Sequence, residues 1–113
     1  MAEFQDIVGL RLGRGQLSAA YTTIYTCPTG KRAYIKDINL CNTHSGKHHA
    51  YVAIVPSGQT AGVAFEILSN LGIDAYETYR WTGTQIMNAG DTIQVKASTA
   101  DYITAYISGA EAV

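Results

Sequence analysis

The stretch that most constrains this chain is Tyr21 to Asn42, YTTIYTCPTGKRAYIKDINLCN. Tyr21 to Cys27 is rich in Thr, Tyr and Ile, residues that fit a pleated, half-buried surface. Arg32 to Asn42 is the longest strand-like run in the sequence. Between them Pro28 presets φ for the first central position of a turn, and Gly30 can take φ > 0 without steric cost. Strand, Pro-x-Gly turn and strand together predict a β-hairpin. Within the second strand the alternation breaks: Ile35 lies on the odd row, Ile38 and Leu40 on the even row. A β-bulge at Lys36-Asp37 restores one buried row, because one inserted residue reverses the facing. The alternative is a strand buried on both faces at its middle.

The remaining chain repeats this short-strand grammar. Phe4 to Leu12 reads as an apolar edge strand, and Gly13-Arg14-Gly15 as a flexible connection. The polar loop Asn42 to Lys47 leads into a strand at His48 to Val55, which Pro56-Ser57-Gly58 ends. Residues 63–71 form an apolar run that periodicity cannot assign. The all-strand surroundings favour a strand near Phe65 to Ile73 over one or two helical turns. Glu77 to Met87, with Gly83 interrupting, reads as strand. Asp91 to Ser98 and Tyr102 to Ser108 alternate cleanly. Gly109 to Val113 reads as a tail that frays. The sum is seven to eight short strands with turn signals every eight to twelve residues or so and no confident helix. That pattern predicts an all-β antiparallel β-sandwich, either immunoglobulin-like or jelly-roll. In domain terms, residues 1–16 are an N-terminal arm or edge strand, 17–109 the sandwich domain and 110–113 a short tail.

Composition bounds the partners. Only 15 % of residues are charged and the net charge is −1, against a usual charged share of about 25 %. Lys31-Arg32 is far short of the clustered Lys and Arg that nucleic acid or an acidic membrane demands. No apolar run approaches the eighteen or so residues that span a bilayer. The first residues carry acid rather than Lys or Arg, which argues against a secretory signal. Cys27 and Cys41 stand too far apart in the predicted hairpin to bridge, so both read as buried free thiols made in a reducing compartment.

Reaction chemistry is weakly represented. His44, His48 and His49 lie close in sequence, but neighbours in a strand point to opposite faces, so a metal site needs Cys41 or an acid to join. A Cys41-His44 nucleophile pair needs the thiol within hydrogen-bond reach of the ring, whereas a strand turns Cys41 towards a sheet neighbour. Asp37, Asp74, Asp91 and Asp101 are scattered and mostly at turns, where Asp is common. Gly13-Arg14-Gly15 and Ser45-Gly46-Lys47 lack the full spacing of a phosphate loop. The sequence therefore predicts no enzyme, no cofactor and no metal.

Tyrosine is the feature above background, with eight in 113 residues. Tyrosine buries a large amphipathic surface at small entropic cost and is enriched at interfaces. It also simply favours strands. The candidate interface residues are Phe4, Ile7, Leu10, Tyr21, Tyr25, Tyr51, Trp81, Tyr102 and Tyr106. An aromatic platform for carbohydrate is the rival use of the same side chains.

A resemblance adds to this. Leu17-Ser18-Ala19-Ala20-Tyr21-Thr22, Tyr25-Thr26-x-Pro28-x-Gly30-Lys31, Ile35-Lys36-x-Ile38, Cys41-Asn42, Val55-Pro56-Ser57-Gly58, Thr60-Ala61-Gly62, Ala89-Gly90-Asp91-Thr92-Ile93 and Ala97-Ser98-Thr99-Ala100 follow in order, before a last strand ending Ile107-Ser108-Gly109. This run, from Leu17 to Gly109, is similar to a group of small tailed-bacteriophage virion proteins with a single β-sandwich domain. Such domains occur as head decoration (cement) proteins and as tail-associated pieces. The histidine loop 44–49 has no counterpart in that resemblance. It implies a non-enzymatic virion structural protein at the capsid surface, assembled in the host cytoplasm. Its implied partners are itself, as a homo-oligomer such as a trimer, and the major capsid protein, with no nucleic acid and no membrane. A tail-associated or host-surface glycan-binding module is the alternative. The apolar entry segment Met1 to Leu12 can add a strand to a neighbour, or be the first strand of its own sandwich.

Overall fold

The computed structural model describes residues Val8 to Ala112. Phe4 and Ile7 lie outside the described residues. Eight strands follow in chain order: β1 (Val8–Gln16), β2 (Thr22–Thr26), β3 (Arg32–Asn42), β4 (His48–Val55), β5 (Glu66–Ile73), β6 (Thr78–Met87), β7 (Thr92–Ala97) and β8 (Ile103–Ala112). A single 3₁₀ turn, Val63–Phe65, precedes β5. The ambiguous apolar run thus divides into one helical turn and a strand. They form two four-stranded sheets, ordered β1-β8-β3-β6 and β2-β7-β4-β5. All pairings are antiparallel.

The pairing pattern identifies the topology. β1 pairs with β8, β2 with β7, β3 with β6 and β4 with β5. This is one long antiparallel ribbon, folded back between β4 and β5 and then rolled into two layers. Two further pairings, β3 with β8 and β4 with β7, stitch the roll. The result is a jelly roll. An immunoglobulin-like sandwich keeps several consecutive strands side by side; here only β4 and β5 are both consecutive and paired.

This corrects the hairpin predicted at Tyr21 to Asn42. β2 and β3 belong to opposite sheets. The turn itself exists: the Lys31 N–H donates to the Pro28 carbonyl at 3.2 Å, and Gly30 has φ 78°. Pro28 is the first residue of that turn rather than its first central residue. The link carries the chain across the sandwich instead of back along one sheet. Local turn chemistry sets a change of direction, and the long-range partners β7 and β8 decide which sheet each strand joins.

The bulge in β3 is present. Its register shifts between Ile35 and Asp37 against both neighbours. Lys36 and Asp37 both turn outward, and Ala33, Ile35, Ile38, Leu40 and Asn42 make one fully buried row. Facing them from the other sheet are Ala50, Val52, Ile93, Val95 and Ala97, also buried. Each Ile, Leu or Val buried here is worth about 1.5–3 kcal/mol relative to exposure. Leu17 and Cys27 close the layer at the sheet-to-sheet links, both 1 % exposed.

The tail expected to fray does not. β8 continues to Ala112, flanked by β1 through Val8↔Glu111 and by β3 through Arg32↔Ala112. A short apolar tail after a glycine reads as loose in sequence. Two strand neighbours and a carboxylate latch, described next, hold it. Gly109 is essential to this path: a Cβ there would stand 1.8 Å from the Tyr34 carbonyl oxygen.

Candidate interaction surfaces

The tyrosines separate into distinct settings. On the outer face of the second sheet Tyr51 of β4 lies directly opposite Lys96 of β7. The Lys96 ammonium sits 4.6 Å from the Tyr51 ring centroid and 4.8 Å from that of Tyr21. Such a cation over an aromatic face contributes about 0.5–1 kcal/mol at an exposed site. Both hydroxyls are committed: Tyr21 donates to the Glu66 carboxylate and Tyr51 to Asn70 Oδ1 at 2.9 Å. Burial, then the Glu66 carboxylate, holds the Tyr21 phenol well above its ordinary value. In return the Tyr21 hydroxyl lowers Glu66. The patch is amphipathic and half-buried, and it leaves Glu66 Oε1 buried without a hydrogen-bond partner.

Tyr25, Trp81 and Leu10 are partly buried and pack against the core. The Tyr25 hydroxyl donates to Glu111 at 2.6 Å, and Lys31 Nζ reaches the same carboxylate at 3.5 Å. This latch bridges the sheets and pins the end of β8. Burial, followed by the Glu111 contact, raises the Tyr25 phenol well above its usual value. The Trp81 ring lies across Gly83, whose absent Cβ would approach Cζ2 at 3.0 Å.

The outer face of the first sheet is more open. Tyr106 is 43 % exposed, with the Arg14 guanidinium 5.5 Å from its ring centroid. Asp37, projected outward by the bulge, takes the Arg80 guanidinium with contacts of 2.7 and 3.2 Å. That hydrogen-bonded guanidinium lowers the Asp37 carboxyl. Three exposed apolar side chains were not singled out in the sequence: Val63, Tyr76 and Ile86. Ile86 had a readable signal, because Met87 beside it is fully buried and neighbours in a strand face oppositely. Ile86 belongs to β6, an edge strand of ten residues, long enough to template pairing with another chain.

The fourth setting is a loop end. Pairing of β3 with β8 brings Tyr102 beside the loop that follows Asn42, and the Thr43 N–H donates to the Tyr102 carbonyl at 2.8 Å. The His44 ring stacks on Tyr102 with centroids 3.9 Å apart and planes 17° apart. His48 Nε2 stands 3.0 Å from His44 Nδ1, which also accepts the Gly46 N–H at 3.2 Å. Asn42, fully buried, holds the loop from within. Its Nδ2 donates to the carbonyls of Gly46 (2.8 Å), Ile73 (2.9 Å) and Asp74 (3.2 Å), and its Oδ1 accepts the His44 N–H at 3.0 Å.

Among the described residues no group of three or more His, Cys, Asp or Glu is placed to hold a metal ion. A cleft lined by Gly72, Ile73, Asp74, Glu77, Thr78 and Tyr79 has a volume of about 270 Å³, just under the roughly 300–1,000 Å³ of small-molecule sites. The Cys27 thiol is buried, and burial raises its pKa. Cys41 is only half-buried, contrary to the expectation that both thiols are interior, because it lies on the outward row beside Leu40 and Asn42.

No family model matches the chain, and no curated protein matches it. Solved structures do. A subunit of the disulfide-linked pili formed by Bacillus endospore appendages superposes with a TM-score of 0.57 at 12 % identity, over 95 % of this chain and 88 % of that one. A chain from the T13 particle of infectious bursal disease virus gives 0.59 at 7 % identity, over 95 % of this chain and 30 % of that one. The VP2 subviral particle of the same virus gives 0.50 at 9 % identity, over 94 % and 32 %. The chain thus spans under a third of these two virus proteins. At these identities the likeness is one of fold.

Proposed function

We propose that this protein is a non-enzymatic virion structural subunit, a capsid decoration protein of a tailed bacteriophage. In this reading it stabilises the assembled head as a homo-oligomer, a trimer, bound to the major capsid protein. The observation that carries it is the jelly roll filling the described chain from end to end, a fold also found in subunits of a pilus and of a viral shell. The surface supports the same use. It is low in charge, open along β6 and studded with rigid tyrosines. Ile86, Tyr106 and the Tyr21-Tyr51-Lys96 patch are the contact residues.

The test is electron microscopy of particles from phage lacking this gene, with purified protein added back. Heads that assemble but rupture on heating or at low salt, and are rescued by the protein, support the reading. Intact heads with defective tails, or glycan binding by a monomer that ignores heads, would overturn it.

A further inference from the structure

The two imidazole nitrogens at the loop end make a close contact. His44 Nδ1 and His48 Nε2 are 3.0 Å apart and face one another. Metal–imidazole bonds run about 2.0–2.1 Å. Two such nitrogens stand about 2.9 Å apart when they subtend 90° at a metal, and about 3.3 Å apart when they subtend a tetrahedral angle. The observed spacing, which is also that of an ordinary ring-to-ring hydrogen bond, fits two neighbouring corners of a square. Square and tetragonal nitrogen sets select copper(II) and nickel(II), and copper(II) binds most tightly along the divalent series.

We propose that His44 and His48 form a two-nitrogen chelating site for a divalent transition-metal ion, copper(II) above nickel(II) and zinc(II), with water completing the coordination. The metal takes the place of the ring-to-ring hydrogen bond. His44 Nδ1 is unprotonated, since it accepts the Gly46 N–H, and that hydrogen bond is given up when the lone pair turns to the metal. His48 presents its own lone pair in the tautomer that carries the proton on Nδ1 instead of Nε2. The ligands are preorganised. Stacking on Tyr102 fixes the plane of His44, and the Asn42 side chain fixes the loop that bears it. Partners of this kind orient metal-binding histidines. His49 takes no part, because it follows His48 in β4 and so points to the other face. The site stands independently of the virion reading.

The experiment titrates the full chain with copper(II) ion, followed by calorimetry and electron paramagnetic resonance. One equivalent per chain is expected, with hyperfine splitting from two nitrogens and affinity falling from copper to nickel to zinc. His44→Gln and His48→Gln should each weaken binding by at least the roughly 10- to 100-fold that loss of an orienting partner costs. His49→Gln should leave it unchanged. In the unaltered protein, substoichiometric copper should broaden the NMR signals of His44, His48 and Tyr102 before any others. Binding that survives loss of both His44 and His48, or broadening centred elsewhere, would overturn the assignment.

Discussion

Replacing Asn42 by Ala tests the claim that one buried amide organises the loop end of the sandwich. Asn42 is the one buried polar side chain in the described core and is fully enclosed. Its two Nδ2 protons serve three carbonyls, and its Oδ1 takes one N–H. A net contribution of about 1 kcal/mol per hydrogen bond gives roughly 3–4 kcal/mol for the set. The Ile73 carbonyl would also be left without this donor in a buried position, at a further cost of about 1 kcal/mol or more. The expected loss is therefore about 3–5 kcal/mol, a large share of the 5–15 kcal/mol or so of a typical domain. With a urea m-value of about 1.5 kcal/mol/M, the unfolding midpoint should fall by about 2–3 M. Asn42→Asp is the sharper control. It keeps the shape but turns both donors into acceptors facing carbonyls, so at neutral pH it should be no more stable than the Ala variant. Equilibrium urea unfolding followed by circular dichroism measures both. A loss under about 1 kcal/mol for Asn42→Ala, or an Asp variant as stable as the parent, would refute the reasoning.

Two further outcomes follow from the same geometry. Gly109→Ala drives a Cβ to 1.8 Å from backbone, so it should lose about 3 kcal/mol or more and melt roughly 10 °C lower; Gly62→Ala, with open space around it, should stay within about 0.5 kcal/mol in the same thermal melts. Stability should also fall at both ends of the pH scale. The Asp37 and Glu66 carboxyls are held below their ordinary values, so their contribution is present above pH 4 or so and is lost as pH drops through the folded-state values. The Tyr21 and Tyr25 phenols are held above theirs, so their contribution is complete below about pH 10 and is lost as pH rises further. Melting temperature against pH should show both limbs, with Asp37→Asn flattening the acid limb and Tyr25→Phe the alkaline one.

Much of the fold is legible in local sequence, because a strand needs only alternation and a turn needs only a few residue types. The turn at Gly30, the strands around Ile93 and Ile103 and the single buried row restored by a bulge at Lys36-Asp37 are all readable this way. Facing is a property of the chain itself, with a period of two, so one extra residue announces itself as a phase error. The candidate surface is less legible. Tyr25 and Tyr106 look alike in sequence, yet Tyr25 latches Glu111 across the sheets while Tyr106 stands open to solvent.

What the sequence by itself determined is a set of seven to eight short strands, the facing of the cleanly alternating ones and the low-charge, all-β character of the chain. Tertiary structure alone decided which strands are neighbours. Consecutive strands β2 and β3 look like a hairpin, but hydrogen bonding to β7 and β8 parts them into opposite sheets. The same long-range pairing pins the end of β8 and sets Tyr102 beneath His44. The physical reason is one of range. Backbone dihedrals and side-chain alternation act over a few residues, whereas the choice of ladder partner minimises exposed apolar surface over the whole rolled ribbon, and no local window contains it.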